Sequence, residues 1–458
     1  MRCPRLVISG TSSNSGKTFV TMGLARALQR RGFKVKCFKS GPDYIDAEYL
    51  SRASGRPSGN LDTWMMAPEH IMRSVGEAAL DSDIVLIEGV RSLYDGASPL
   101  GDEGSTAHLA KVLSAPVVLV MNIQSLARGA AASALGFMEY DRDVDVSGFI
   151  INMVKGPRHH IKATSAIWQR TGKRIYGSIR RDRELSVTMR HLGLITVAEN
   201  EDSEKAIDAA ADTVEGAVDV DALFELACNA PDLDVEVEEN AFEKEGFMIS
   251  VAHDKAFTFI YHENLRALRA LGARIEYISP LSDRRLPDDT SALLLLGGYP
   301  ECHSERLGGN KDFIRHMKTL IDDGMPVYAE CGGMMYLGRE LTDLDGRRWK
   351  MAGVLDIDSR MHRTSQSISY SEIEAIRSNI VARQGDVIRG HEFHYSSVES
   401  LSDDIRYAFD VKRGRGIDGK HDGIMESNVL AQYSHIHMAS QGKVAMAICD
   451  SAKEYLRK

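Results

Sequence analysis

The chain is poor in the features that would place it in an oxidising, membrane-bound or nucleic-acid setting. Its six cysteines, Cys3, Cys37, Cys228, Cys302, Cys331 and Cys449, are scattered along 458 residues. Such spacing offers neither a disulfide framework nor a paired Cys-x-x-Cys metal site, so a reducing cytoplasm is the expected location. No apolar run approaches the roughly 20 residues that a membrane helix needs. Met1 to Ser9 has charges and a strand-like core but no signal-peptide layout. Basic residues are not in excess: 56 Lys+Arg stand against 65 Asp+Glu, a formal charge of -9. A nucleic-acid binder would instead show a basic stripe. Internal repeats and low-complexity tracts are also missing. A hydrophobic fraction of 43% in 458 residues remains, too long for a single core, and implies two or three domains.

Residues 1–200 alternate short apolar runs with longer amphipathic ones. Strands are expected at 5–9, 34–39, 83–88, 115–121 and 147–152. The runs Ile84-Val85-Leu86-Ile87 and Val117-Val118-Leu119-Val120 are apolar throughout, the pattern of strands buried on both faces of a parallel sheet. A helix over 17–31 with Gly32 as its stop fits the same doubly wound α/β reading. The stretch 229–246 is rich in carboxylates and weak in periodicity, and reads as a linker. A second α/β series follows, with strands expected at 247–252, 274–278, 292–296 and 326–330, then a more β-rich tail over 350–440. The predicted organisation is therefore 1–228, a linker at 229–246, and 247–445.

The first strand leads into Gly10-Thr11-Ser12-Ser13-Asn14-Ser15-Gly16-Lys17-Thr18 and then a helix. Strand, polar loop, Gly-Lys-Thr and helix form the context of a phosphate-binding loop. Backbone N–H groups and the helix N-terminus favour anions there. Lys17 can reach the outer phosphates of ATP, and Thr18 can hold Mg²⁺. The spacing departs from the common pattern, with five residues between Gly10 and Gly16. Lys39-Ser40-Gly41-Pro42-Asp43-Tyr44-Ile45-Asp46 follows the second strand, and Glu88-Gly89 ends the third. Ligands gather at the carboxyl ends of strands in open α/β sheets, so Asp43, Asp46 and Glu88 are expected near Thr18. Thr18, Asp43 and Glu88 are the candidate Mg²⁺ ligands. A helix cap is the competing role for any one such Asp.

In the second half, Val327-Tyr328-Ala329-Glu330-Cys331-Gly332-Gly333 reads as a buried strand, a sharp turn and a helix start. A nucleophile at such an elbow is presented at the top of a sheet, near backbone donors that favour thiolate. Leu293 to Leu296 is another strand, ending at Gly297-Gly298, whose backbone N–H groups suit an oxyanion. Tyr433-Ser434-His435-Ile436-His437 supplies a base for Cys331.

Together the motifs GTSSNSGKT (10–18), FKSGPDYID (38–46), NLDTWM (60–65), IEGVRSLYDG (87–96), RHLGL (190–194), LGGYPE (296–301), ECGGMMYLG (330–338), GHEFHYS (390–396) and YSHIH (433–437) identify a resemblance. The chain resembles the cobyrinic acid a,c-diamide synthase family, including its relatives that amidate nickel-sirohydrochlorin. The five-residue loop spacing is that of the dethiobiotin-synthetase-like group to which this family belongs. The resemblance implies an N-terminal P-loop synthetase domain and a C-terminal class I glutamine amidotransferase-like domain. It implies that ATP phosphorylates a carboxylate of a tetrapyrrole, that L-glutamine is hydrolysed at Cys331, and that ammonia passing internally displaces phosphate to give the amide. His435 matches the family's base. The usual third acid would fall at His437, so His435 is expected to be oriented in some other way. Tyr44, Ile45, Asp43, Asp46 and Glu88 match positions tied to carboxylate activation and substrate choice, and Asn152 a position near the adenine. Gly10, Thr11, Ser15, Gly16, Lys17 and Thr18 complete the nucleotide site. No nucleic-acid or membrane partner is expected, and the assembly is expected to be a monomer or homodimer. The rival reading is a P-loop regulatory module fused to an inactive glutaminase-like domain.

Overall fold

The apolar runs of the first half become neighbouring parallel strands. They are β1 (Arg5–Gly10), β2 (Val35–Ser40), β3 (Gly59–Leu61), β4 (Ile84–Glu88), β5 (Val117–Asn122), β6 (Val146–Val154) and β7 (Arg174–Arg180). The sheet order is β3-β2-β4-β1-β5-β6-β7, parallel throughout. Sequence patterning does not reveal the two edge strands. β3 is only three residues long, and β7 carries arginines at both ends and is half exposed. Leu6 and Ile8 point into one core, shared with Leu24, Leu28, Leu50 and Val214. Val7 faces the other side and is equally buried, so both faces of the sheet are covered, as a parallel sheet requires.

Two helices matter for the site. α1 (Lys17–Arg30) leaves the end of β1, and α2 (Tyr44–Ser54) leaves the end of β2. α1 stops at Gly32, whose φ of 89° is the left-handed conformation that glycine accommodates without a Cβ clash.

In this computed structural model, residues 1–182, 202–237, 246–402 and 404–457 are described. The chain divides into two units, Met1–Glu238 and Glu239–Lys458. The RHLGL motif lies outside the described residues, as do 238–245 of the acidic stretch. The earlier part of that stretch is tied to the first unit. Leu233 is buried and exchanges hydrogen bonds with Met1 at 2.7 and 2.9 Å. Val235 and Val237 press on Gly76, where a Cβ would meet each at 2.8 Å.

The second unit is built on a ten-stranded sheet. Its parallel half runs Ala273–Ile278, Phe247–Ala252, Thr290–Leu295, Val327–Glu330 and Val429–Gln432 in spatial order. The β-rich tail continues it in antiparallel fashion through His421–Glu426, Arg406–Arg413, Ser367–Ala375 and Val387–His394 to His435–Ile436. This order sets up the second site. Glu330 pairs in register with Gln432, and three residues later in the chain His435 pairs with His391.

Candidate functional sites

The loop between β1 and α1 is packed so closely at two points that only glycine fits. Gly16, at φ 94°, caps α1, and a Cβ there would lie 2.3 Å from Asn152 Nδ2. That amide donates to Ser15 O at 3.0 Å and ties the end of β6 to the loop. A Cβ at Gly10 would meet Ser15 Oγ at 2.1 Å. Two loop N–H groups are spent on the protein itself: Thr11 N–H donates to Val120 O, and Ser15 N–H to Ser12 O. Lys17 is buried and donates to Ser13 O at 3.3 Å. Burial pulls its pKa down and the like charge of Lys39 adds to that, with acidic neighbours opposing. A phosphate at the loop would relieve both costs.

Next to the loop lies a buried charge cluster. Thr18 Oγ1 donates to Glu88 Oε1 at 2.5 Å. Lys39 Nζ donates to the same oxygen at 2.7 Å, to Asp46 Oδ2 at 2.5 Å and to Gly89 O at 3.3 Å. Burial pushes the Glu88 carboxyl up to about 7, although Lys39 draws it down. For Lys39 burial acts downward, but Asp46 and Glu88 outweigh it and the ammonium is held above its usual range. Asp43 serves as the cap of α2: its Oδ1 accepts from Ile45 N–H at 2.9 Å and Asp46 N–H at 3.1 Å. Burial, with the Asp46 charge beside it, lifts Asp43 to about 6. Ile45 is packed into the core with Tyr49 and Leu50. Sequence reasoning assigned Lys39 no role. No sequence signal marked it, because the pairing of the strands that carry Lys39 and Glu88 is a matter of sheet order.

The cluster suits a hard cation. Glu88 Oε2 is buried and has no hydrogen-bond partner among the described residues. No group of three or more His, Cys, Asp or Glu placed to hold a metal occurs among the described residues. A site of one carboxylate and one hydroxyl, completed by phosphate and water, is the usual provision for Mg²⁺.

In the second unit, Cys331 sits between the strand Val327–Glu330 and the helix Gly332–Leu337 at φ 45° and ψ -101°. A side chain seldom adopts this conformation, which costs on the order of 1–3 kcal/mol. The turn is tight because its glycines touch neighbouring backbone. A Cβ at Gly333 would lie 1.8 Å from Leu295 O, and one at Gly332 would lie 3.1 Å from Gly298 N. Gly298 thus adjoins the elbow. Gly297 adjoins the base, since a Cβ there would lie 2.6 Å from His435 Cε1.

His435 is fully buried. Its Nδ1 lies 3.0 Å from Glu330 Oε2. Glu330 Oε1 accepts from Tyr328 OH at 2.7 Å and from Ile436 N–H at 3.1 Å. Burial alone would lower the basicity of His435, yet the nearby Cys331 and Glu330 raise it to about 10. His391 stacks on the same ring, with centroids 4.8 Å apart and planes at 19°. Burial and the His435 charge push His391 well below the usual histidine range. His437 instead turns to Ser440 Oγ at 3.1 Å and to the Tyr261 ring at 5.2 Å. Sequence reasoning missed Glu330, and left His391 as a structural or substrate-facing histidine. Glu330 carried a signal, as a carboxylate in a strand otherwise read as buried.

Residues 6–194 match the CobQ/CobB/MinD/ParA nucleotide binding domain, and residues 248–443 match the CobB/CobQ-like glutamine amidotransferase domain. The chain is 40% identical over 447 residues to the cobyrinate a,c-diamide synthase of Archaeoglobus fulgidus, across 97% of this chain and 96% of that one. It is 38% identical over 454 residues to the cobyrinate a,c-diamide synthase of Methanobrevibacter smithii, across 98% and 99%. It is 36% identical over 456 residues to the enzyme of the same name from Caldanaerobacter subterraneus subsp. tengcongensis, across 100% of both.

Proposed function

The chain belongs to the cobyrinate a,c-diamide synthase family, and from that premise we propose that it amidates the a and c acetate side chains of cobyrinic acid with ATP and glutamine. The observation that carries this reading is the presence in one chain of a phosphate loop beside the Lys39–Asp46–Glu88 cluster and of an elbow cysteine beside His435.

In the first unit, the γ-phosphate of ATP is transferred to a side-chain carboxylate, giving an acyl phosphate and ADP. A carboxylate is a poor acyl donor to ammonia, and phosphate gives it a leaving group. Lys17 and the loop N–H groups hold the phosphates, and Lys39 offsets negative charge where the two anions meet. Mg²⁺, when bound, would be held by Thr18 and Glu88 and would neutralise phosphate charge. Asp43 keeps the first turn of α2 in place as its cap.

In the second unit, the Cys331 thiolate attacks the glutamine carboxamide. His435 takes the thiol proton and returns it to the departing ammonia. Water then releases glutamate from the acyl-enzyme, and Gly297-Gly298 lines the space for the oxyanion. The freed ammonia attacks the acyl phosphate, so that one amide, one glutamate, one ADP and one phosphate result per cycle. The relatives' shared name favours cobyrinic acid over nickel-sirohydrochlorin. Cytoplasmic work fits this chemistry, and no helix among the described residues is long and apolar enough to cross a membrane.

The test is mass spectrometry of purified protein given ATP, Mg²⁺ and glutamine, with cobyrinic acid and nickel-sirohydrochlorin offered in parallel. Stepwise replacement of OH by NH₂ on cobyrinic acid is expected, with loss of product in Lys17→Ala while glutaminase activity persists. Amidation of nickel-sirohydrochlorin alone, or of neither, would overturn the assignment.

A further inference from the structure

The geometry points to Glu330 as the positioning residue for His435, doing from the residue before the nucleophile what an acid two residues beyond the histidine would otherwise do. This rests on reading Cys331 and His435 as the glutaminase pair.

The position beyond the histidine cannot serve. It is occupied by His437, which is turned to Ser440 and Tyr261. Glu330 reaches His435 because of sheet register. It ends the strand Val327–Glu330, pairs with Gln432 on the neighbouring strand, and so stands beside the chain that turns back to His435. Its Oε2 is 3.0 Å from Nδ1. Its other oxygen is fixed by the Tyr328 hydroxyl and the Ile436 N–H. Tyr328 is itself anchored, since its hydroxyl accepts from Gln432 Nε2 at 3.1 Å. The carboxylate is buried and has little freedom to leave.

A carboxylate on Nδ1 has two consequences. It keeps the proton on Nδ1, so that the lone pair of neutral His435 is on Nε2 and available to the thiol. It also stabilises the imidazolium that forms when Cys331 gives up its proton, and an imidazolium beside a thiol favours thiolate. No covalent bond involves Glu330. Its nearness to Cys331 in sequence has a structural use. One strand end carries both the nucleophile and the group that aims its base.

Glu330→Gln keeps the shape and removes the charge. It is expected to lower kcat with glutamine by about 10²–10⁴-fold, as loss of the orienting acid does in related triads, while KM for glutamine changes little. Amidation driven by ammonium salts, which takes place in the first unit, should be unaffected. The pH midpoint for alkylation of Cys331 by iodoacetamide, followed on its own peptide by mass spectrometry, should move upward, because the imidazolium is less favoured. Glu330→Asp keeps the charge and should shift that midpoint less than Gln does. Unchanged kcat and an unmoved midpoint in Glu330→Gln, with Cys331→Ser inactive on glutamine, would overturn the inference alone. Glutamine-dependent activity surviving in Cys331→Ser would overturn the reading beneath it. Should Glu330→Gln fail to fold, the wild-type protein decides. A downfield Nδ1 proton that is lost in His435→Gln supports the assignment, and its absence from the wild type overturns it.

Discussion

Lys39 and Glu88 hold matched positions on adjacent parallel strands, and their side chains meet at 2.7 Å in the interior. Glu88 is fully buried and the Lys39 side chain is 3% exposed. Neither charge is sustainable there by itself. The ammonium serves two carboxylates, Glu88 and Asp46, and it does so where the phosphate loop ends.

Lys39→Met should therefore be strongly destabilising. Removing one partner leaves buried carboxylates uncompensated, at a cost of about 3–5 kcal/mol. The sign of its pH dependence follows. Without the cation the Glu88 carboxyl, already raised to about 7, rises further above its unfolded value, so the variant is least impaired in acid and loses ground as pH rises through that folded value. Urea unfolding of both proteins across a pH series measures this. A deficit that shrinks on going from acid to neutral pH would contradict it.

Asp46→Asn keeps the volume and gives up one of the two anions that hold Lys39. With ATP held through the loop and Lys17, as proposed, nucleotide affinity should change little. Amidation should slow by at least about tenfold, because Lys39 is no longer aimed. A time course of mono- and diamide products by mass, alongside nucleotide binding by calorimetry, separates the two effects. Wild-type rates through both amidations would show that the cluster is not where the carboxylate is activated.

The strain at Cys331 makes a stability prediction that is independent of chemistry. Both Cys331→Ala and Cys331→Gly remove the thiol, but only glycine is at ease at φ 45°. The Gly variant should be more stable than the Ala variant by about 1 kcal/mol, despite the usual entropic penalty of glycine. Both should lose glutamine-dependent amidation and keep that supported by ammonium. Thermal melts of the pair decide the first point, and product assays the second.

Gly297→Ala would place a methyl group 2.6 Å from His435 Cε1 and 2.8 Å from Phe259 Cδ2. One of the rings must move. A shift of the base by a fraction of an ångström to one ångström should cost glutamine-dependent kcat about 10²-fold. Ammonium-dependent amidation should remain. Equal loss of both activities would indicate a general folding defect in place of a displaced base.

His435 links the glutaminase site to stability. Its folded pKa, about 10, lies above the ordinary 6.5. A group raised in this way contributes stability that is fully present below its unfolded pKa and is lost as pH rises through the folded value. The stability advantage of the wild type over Glu330→Gln should thus narrow across that window. Denaturation curves at several pH values in it provide the check. A gap that widens as pH rises would reverse the assigned sign.

Much of this molecule was legible before any coordinates. The strands over 5–9 and 247–252 are read from apolar runs, because burial on both faces leaves few polar choices. The phosphate loop is read from Gly16-Lys17-Thr18 after a strand, and Cys331 from a strand that breaks at Gly-Gly. The expected meeting of Asp46, Glu88 and Thr18 followed from strand ends sharing one edge of the sheet. Local chemistry also covered Asp43 as a possible cap, since Asp at the start of a helix has that role by default.

The sequence by itself determined the element types, the two α/β series and the residues with reactive groups. These are set by short-range patterns: periodicity, glycine at sharp turns and the chemistry of each side chain. Only the tertiary structure decided who touches whom. Lys39 joins Asp46 to Glu88 through the order of β2 and β4. Glu330 reaches His435 across 105 residues of chain. His391 comes to lie against the same ring from yet another strand. Such contacts depend on strand order and register, which are settled by packing of the whole sheet and leave no mark on the residues near them in sequence.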